Sequence, residues 1–165
     1  MYLCINLKNS FRLQKKINIQ NKKARFEYEI LDKFVAGIQL TGTEIKSIRQ
    51  SKARITESFC EFNDGGELFI VNMYIQEYMF GHHFNHNPKS ERRLLLNKRE
   101  LKSLKKDVEA KGNTIVPLRL FINDRGYAKL EIALAKGKQT HDKRNVIKDR
   151  DSKRNLDRIK KSFNA

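Results

Sequence analysis

The histidines of "GHHFNH" are the first residues whose spacing invites chemistry. His82 and His86 stand four apart, the interval that puts two imidazoles on one helical face to hold a metal. Gly81 and Pro88 bracket the segment, however, and both break a helix. No Glu lies between the histidines to act as a base, and no third ligand follows. A polar loop that touches phosphate accounts for them better. The chain also lacks a Ser-His-Asp order, a P-loop and a Gly-rich dinucleotide pattern. Cys4 and Cys60 fit no zinc or redox spacing and read as reduced thiols. No catalytic residue, metal site or cofactor is expected, and the chain does not read as an enzyme.

The cations say more. Lys and Arg number 35 against 19 Asp and Glu in 165 residues, a formal charge of +16. An excess of that size selects polyanionic partners, nucleic acid before membrane. The charge falls in clusters. Asn21, Lys22 and Arg25 lie in "NKKAR" ahead of the first strand, and Lys46, Arg49, Lys52 and Arg54 surround a short helix. Arg92, Arg93, Lys98 and Arg99 stand at the head of a second helix, while Lys136 and Lys138 end the last strand. Strand ends and helix starts of this kind can meet on one face and bind phosphate through charge and helix N-terminal amides. The plain alternative is a scatter of solvated lysines.

The densest run is "KGKQTHDKRNVIKDRDSKRNLDRIKK", with eleven Lys or Arg and four Asp. It cannot bury enough surface to fold on its own. On a helix, Arg150, Arg154 and Arg158 form one row, beside Asp149, Lys153, Asp157 and Lys161 alternating in sign. The alternating row favours a helix by a few tenths of a kcal/mol per pair, and the arginine row opposes it by about as much. The segment is therefore expected to be disordered alone and helical against RNA phosphates, with Leu156, Ile159 and Phe163 as an apolar edge.

These groups need elements to position them. "RFEYEI" alternates through Phe26, Tyr28 and Ile30 as a half-buried strand, and "GIQLTG" repeats the pattern. Thr43 is placed to cap a helix carrying Ile45 and Ile48. "SFCEFNDGGELFIVNMYI" reads as a hairpin turning at Asn63–Gly66. "YMFGHHFNHNPKSERR" is a long exposed loop. In "LLLNKRELKSLKKDVEAKG", Asn97 caps a helix and Glu100 completes a capping box. Leu96 and Leu101 are set for a hydrophobic staple, Leu101, Leu104 and Val108 form the buried stripe, and Gly112 is the stop. "TIVPLRLFI" and "AKLEIALA" are strands joined at Asn123–Gly126. Five or six antiparallel strands with one or two helices suggest a closed or nearly closed barrel, which leaves no sheet edge exposed.

Hydrophobic residues make up 39% of the chain, enough for one domain with a modest core. No apolar run approaches the ~18 residues of a membrane span. The N-terminal stretch lacks a signal peptide's apolar core and cleavage site, so a cytoplasmic location is expected. The reading divides the chain into a flexible arm over 1–20, an RNA-binding domain over 21–138 and a basic tail over 139–165. Nothing demands a dimer, and a monomer is expected.

"GIQLTGTEIKSIR", "SKARITES", "LLLNKREL", "TIVPLRLF" and "AKGKQTHDKR" stand in the order found in the SmpB family of tmRNA-binding proteins, which the chain resembles over about residues 20–161. The resemblance implies a mainly β fold: a small OB-type antiparallel barrel with two to three flanking helices and a flexible basic C-terminal tail. It implies RNA-binding proteins that carry the tRNA-like domain of alanyl-tmRNA, with elongation factor Tu, to stalled ribosomes for trans-translation. On this reading Leu95, Asn97 and Lys129 match positions implicated in tmRNA binding, joined in the body by Asn21, Lys22, Arg25, Lys46, Lys136 and Lys138. His141 matches a residue that stacks on a decoding-centre base. Lys143, Arg144, Lys148, Arg150, Lys153, Arg154, Arg158 and Ile159 belong to the tail that enters the decoding centre and empty mRNA channel. Where many relatives carry Glu, this chain has Val35, and Arg54 adds a charge beside the first helix. The alternatives are a general ribosome-associated RNA-binding barrel, which composition alone supports equally well, and a metal-dependent nuclease built on the loop histidines.

Overall fold

A computed structural model describes residues 17–81, 84–109 and 112–139, together with 148, 151, 152, 154–160 and 162. In chain order the elements are β1 (Asn18–Gln20), α1 (Lys22–Glu27), β2 (Tyr28–Ile38), α2 (Gly42–Arg49), β3 (Ala53–Arg54), β4 (Phe59–Phe62), β5 (Leu68–Val71), β6 (Tyr74–Ile75), β7 (Arg92–Leu95), α3 (Lys98–Val108), β8 (Asn113–Ile122) and β9 (Ala128–Gly137).

The main sheet runs β1-β8-β4-β5-β7-β2-β9, and β9 pairs again with β8. Six strands thus form a closed circuit, with β1 added alongside β8. Its narrowest seam is β4 on β8, where Cys60 faces Ile115. β3 and β6 form a separate two-stranded ribbon.

Two bulges turn this circuit. In β8 the register shifts between Pro117 and Arg119, and in β2 between Ile30 and Asp32. Each inserts a residue and so reverses which face the following side chains take. Before the β8 bulge Val116 and Leu118 pack with Ala133 and Ala135 beneath Ala24 of α1; after it Leu120 joins the ring's core with Leu130 and Ile132. Across the β2 bulge Ile30 packs toward α1 and Phe34 toward the core. These stretches are covered on both sides, which is why "TIVPL" and "IALA" read as continuous apolar runs.

Several expectations shift. The strand expected from Phe26 begins at Tyr28, because Asn21 caps α1 in front of it: the Asn21 side chain accepts from the Ala24 amide. Asn18–Gln20, placed in the arm, is a strand on β8. Thr41, not Thr43, caps α2, closing a capping box with Glu44 (Thr41 N to Glu44 Oε2, 2.7 Å). The hairpin stops at Asn72, whose φ of 59° turns the chain out of β5, and Tyr74–Ile75 pairs with β3 instead. α3 begins after Asn97 as expected, with Leu104 fully buried and Gly112 beyond it at φ 86°. The described residues from 148 to 162 are helical and exposed. Among the described residues, no helix is long and apolar enough to cross a membrane.

Candidate nucleic-acid interface

Ladder register decides which outward side chains become neighbours. Gly37 of β2 faces Lys129 of β9 on one side and Leu95 of β7 on the other. On the far side of β9, Lys129 faces Phe121 of β8. Leu95, Lys129 and Phe121 therefore stand in one row across the outside of the ring. Gly37 makes the row possible: a Cβ there would lie 3.3 Å from the Leu95 Cβ. Without that Cβ, Leu95 lies over the glycine, 51% exposed. The next row inward holds Val35, Glu131 and Arg119. Arg119 donates to Glu131 at 3.0 Å and its guanidinium lies 4.5 Å from the centre of the Phe121 ring. Val35, 53% exposed, completes a surface of apolar groups rimmed by cations.

Asn97 and Lys98 follow Leu95 past the half-buried Leu96 and are exposed where α3 begins. The Asn97 backbone amide donates to Glu100 Oε2 at 3.1 Å, which fixes how the chain enters the helix. Arg49 of α2 reaches the Gly126 carbonyl at 3.4 Å, tying that helix to the turn before Lys129. Lys46, one turn earlier, is exposed, its ammonium 5.2 Å from the Tyr78 ring centre.

The remaining body cations do not join this row. Lys136 and Lys138 lie at the opposite end of β9 from Lys129; seven residues of strand to Lys136 span about 23 Å. There they meet α1: Lys138 Nζ donates to the Arg25 carbonyl (3.2 Å) and its amide to that of Glu27 (3.0 Å). Lys22 and Arg25 are exposed on the same helix. The single basic face expected from the sequence is two basic regions, one at each end of the longest hairpin.

Asn21 belongs to neither, because it is buried at 3% exposure. Its amide nitrogen donates to the carbonyls of Ile55 (3.2 Å) and Pro117 (3.1 Å), locking α1 to the body. Arg92, grouped by sequence with the surface cations, is likewise internal at 3%. Its Nε donates to Glu44 at 2.7 Å, and its Nη atoms donate to the carbonyls of Met73, Ser90, Asn87 and Pro88. That network binds α2, β7 and the loop before β7 into one unit. Only Arg93 of the pair faces outward, bridged to Glu67 at 2.6 Å.

His86 is buried, with Nδ1 2.9 Å from the Thr43 hydroxyl and Nε2 donating to the Ile75 carbonyl at 3.2 Å. It is a latch between loop and α2, with neither nitrogen left for the metal considered from its spacing. His82 and His83 lie outside the described residues. Among the described residues, no three His, Cys, Asp or Glu side chains gather to hold a metal. Cys60 is buried, which pushes its thiol pKa well up and leaves it inert.

In the tail, His141, Lys143, Arg144, Arg150 and Lys153 lie outside the described residues. Lys148, Arg154, Arg158 and Ile159 are exposed, and all four are helical. The sequence reading missed Arg119 and Phe121. Their signal was an outward alternation, obscured because the Pro117 bulge reverses the faces midway along the strand.

A ring of strands with such an outer face defines a small basic β-sheet binding module. The family model for the SmpB protein matches residues 18–162. The SsrA-binding protein of Flavobacterium psychrophilum is 68% identical over 149 residues, covering 90% of this chain and 99% of that one. That of Christiangramia forsetii is 61% identical over 163 residues, 99% of each. A solved chain from "tmRNA-SmpB: a journey to the center of the bacterial ribosome" shares 48% identity with a TM-score of 0.63, over 75% of this chain and 86% of that chain. The chain belongs to the SmpB family.

Proposed function

We propose that the protein binds the tRNA-like domain of tmRNA and delivers it to stalled ribosomes. On this reading the ring of strands is an oligonucleotide-binding barrel, and the Leu95, Asn97 and Lys129 surface is its tmRNA contact. The observation that carries it is the register row. Three strands bring Leu95 and Lys129, two positions that match the family's tmRNA contacts, to either side of one glycine. An apolar group beside an ammonium suits RNA, offering a face to an unstacked base and a charge to its phosphate. The relatives' names and the ribosomal setting of the solved neighbour support the same partners.

The tail does separate work in this proposal. Its cations and the Ile159 edge occupy the decoding centre and empty mRNA channel, with His141 stacking on a base, once tmRNA carrying alanine arrives with elongation factor Tu. Ending the chain after Arg144 tests the division. Affinity for the tRNA-like domain is expected to stay within about twofold, while tagging of stalled nascent chains disappears. Loss of tmRNA affinity on truncation would make the tail a general RNA anchor and overturn it.

A further inference from the structure

We infer that the face of the β3–β6 ribbon, with Tyr78, Phe80 and Phe84 beyond it, is a second binding surface for single-stranded RNA, separate from the Leu95–Lys129 row and carried by a different sheet. Tyr74 is the centre of this surface. It pairs with Arg54 across the ribbon and is 38% exposed. It lines two adjoining grooves: one of about 620 Å³ with Lys52, Tyr78 and Met79, the other of about 520 Å³ with Arg54, Asn72 and Lys89. The chain beyond it holds Phe80 63% exposed and Phe84 92% exposed.

Those rings are held outward by construction. Asn85 acts as a strand would, accepting from the Tyr78 amide at 3.1 Å and donating to the Tyr78 carbonyl at 2.8 Å. The Gly81 amide donates to the same carbonyl, and the Phe84 amide donates to Gly81. His86 fastens the far end to Thr43 and Ile75. Phe80 meets the Tyr78 ring edge-on at 5.6 Å, and the Lys46 ammonium lies 5.2 Å from the centre of the same Tyr78 ring. Aromatic faces left in water at Phe80 and Phe84 have given up their burial, which a partner must restore.

Charge selects the partner. Lys46, Lys52, Arg54 and Lys89 stand around the aromatics, against Glu57 and Glu77. Aromatic faces set among cations suit unpaired bases with their phosphates: each ring takes a base of any identity, and the ammonium and guanidinium groups follow the backbone. An apolar protein surface would leave those cations unmatched.

The test uses the full chain, an oligouridylate of about ten nucleotides, and ultraviolet cross-linking mapped by mass spectrometry. Mapping matters because the basic tail also takes up polyanions. Uridine adducts are expected on Tyr74, Phe80 or Phe84, and they persist when the tRNA-like domain saturates the other surface. Phe80→Ala with Phe84→Ala, both at exposed positions, lowers these adducts about tenfold while affinity for the tRNA-like domain stays unchanged. Adducts confined to the tail or to the Leu95–Lys129 row overturn the inference, as does displacement by the tRNA-like domain or indifference to the Phe variants. Ribosome association that falls in the Phe variants without any groove adduct marks a protein-docking loop and overturns it too. If wild-type protein shows groove adducts but no affinity for the tRNA-like domain, the tmRNA proposal fails and this one stands.

Discussion

At the scale of single residues, the cations divide into those that hold the molecule together and those that face outward, and sequence does not separate them. Arg92 and Arg93 are adjacent and chemically identical, yet strand alternation sends one into a buried pair with Glu44 and the other to the surface. Arg92→Ala strands a buried carboxylate and four carbonyls, so a loss of about 3–5 kcal/mol is expected in urea unfolding. Arg93→Ala is expected to cost about 1 kcal/mol at most, since its partner is exposed. Asn21 was legible as a polar residue among cations, but its role depends on the Pro117 and Ile55 carbonyls, far away in sequence. Asn21→Ala is expected to lower stability by about 1–2 kcal/mol through the lost cap and leave tmRNA affinity unchanged. A selective fall in affinity at unchanged stability would return Asn21 to the RNA surface. Leu95→Ala and Lys129→Ala should both weaken tmRNA binding, but only the lysine change flattens the salt dependence, by about one unit of slope per lost phosphate contact. Lys138, at the other end of β9, should add its effect independently in the Lys129→Ala, Lys138→Ala double variant. A slope unchanged in that variant counts against both contacts.

Among the elements, those with local signals were legible and those made by distant pairing were not. α3 carries its own start, stripe and stop, and forms where its sequence says. The hairpins over 59–71 and 113–137 announce themselves by alternation and by Asn, Asp and Gly at their turns. β1, β3, β6 and β7 are two to four residues long and exist only because a partner strand is present, so no periodicity could reveal them. α1 hid for a related reason: its six residues overlap an alternating strand pattern, and the Asn21 cap and the apolar shelf of β8 and β9 decide in favour of helix. The bulges concealed the outward row, because one extra residue exchanges the faces of everything after it. Gly37 tests this level. Gly37→Val would push Leu95 off its seat, and a larger loss of tmRNA affinity than of thermal stability is expected. An affinity unchanged at reduced stability would make Gly37 a packing residue only.

For the whole molecule, charge said polyanion and the ordered motifs said which family, but neither gave the distribution of function over the surface. Composition weighs all 35 cations equally, whereas the fold buries Arg92, places two groups at the ends of β9 and lines the β3–β6 ribbon with others. The central claim is that the Leu95–Lys129 row selects one RNA rather than attracting any. Fluorescence anisotropy tests it most directly, with the tRNA-like domain of tmRNA as probe and ordinary tRNA and a single-stranded oligonucleotide as competitors. Two salt concentrations are required, since a basic protein holds every nucleic acid at low salt. The tRNA-like domain is expected to keep its place at the higher salt while both competitors fail to displace it. Equal competition by all three, collapsing together as salt rises, would contradict the account and leave a general RNA-binding barrel.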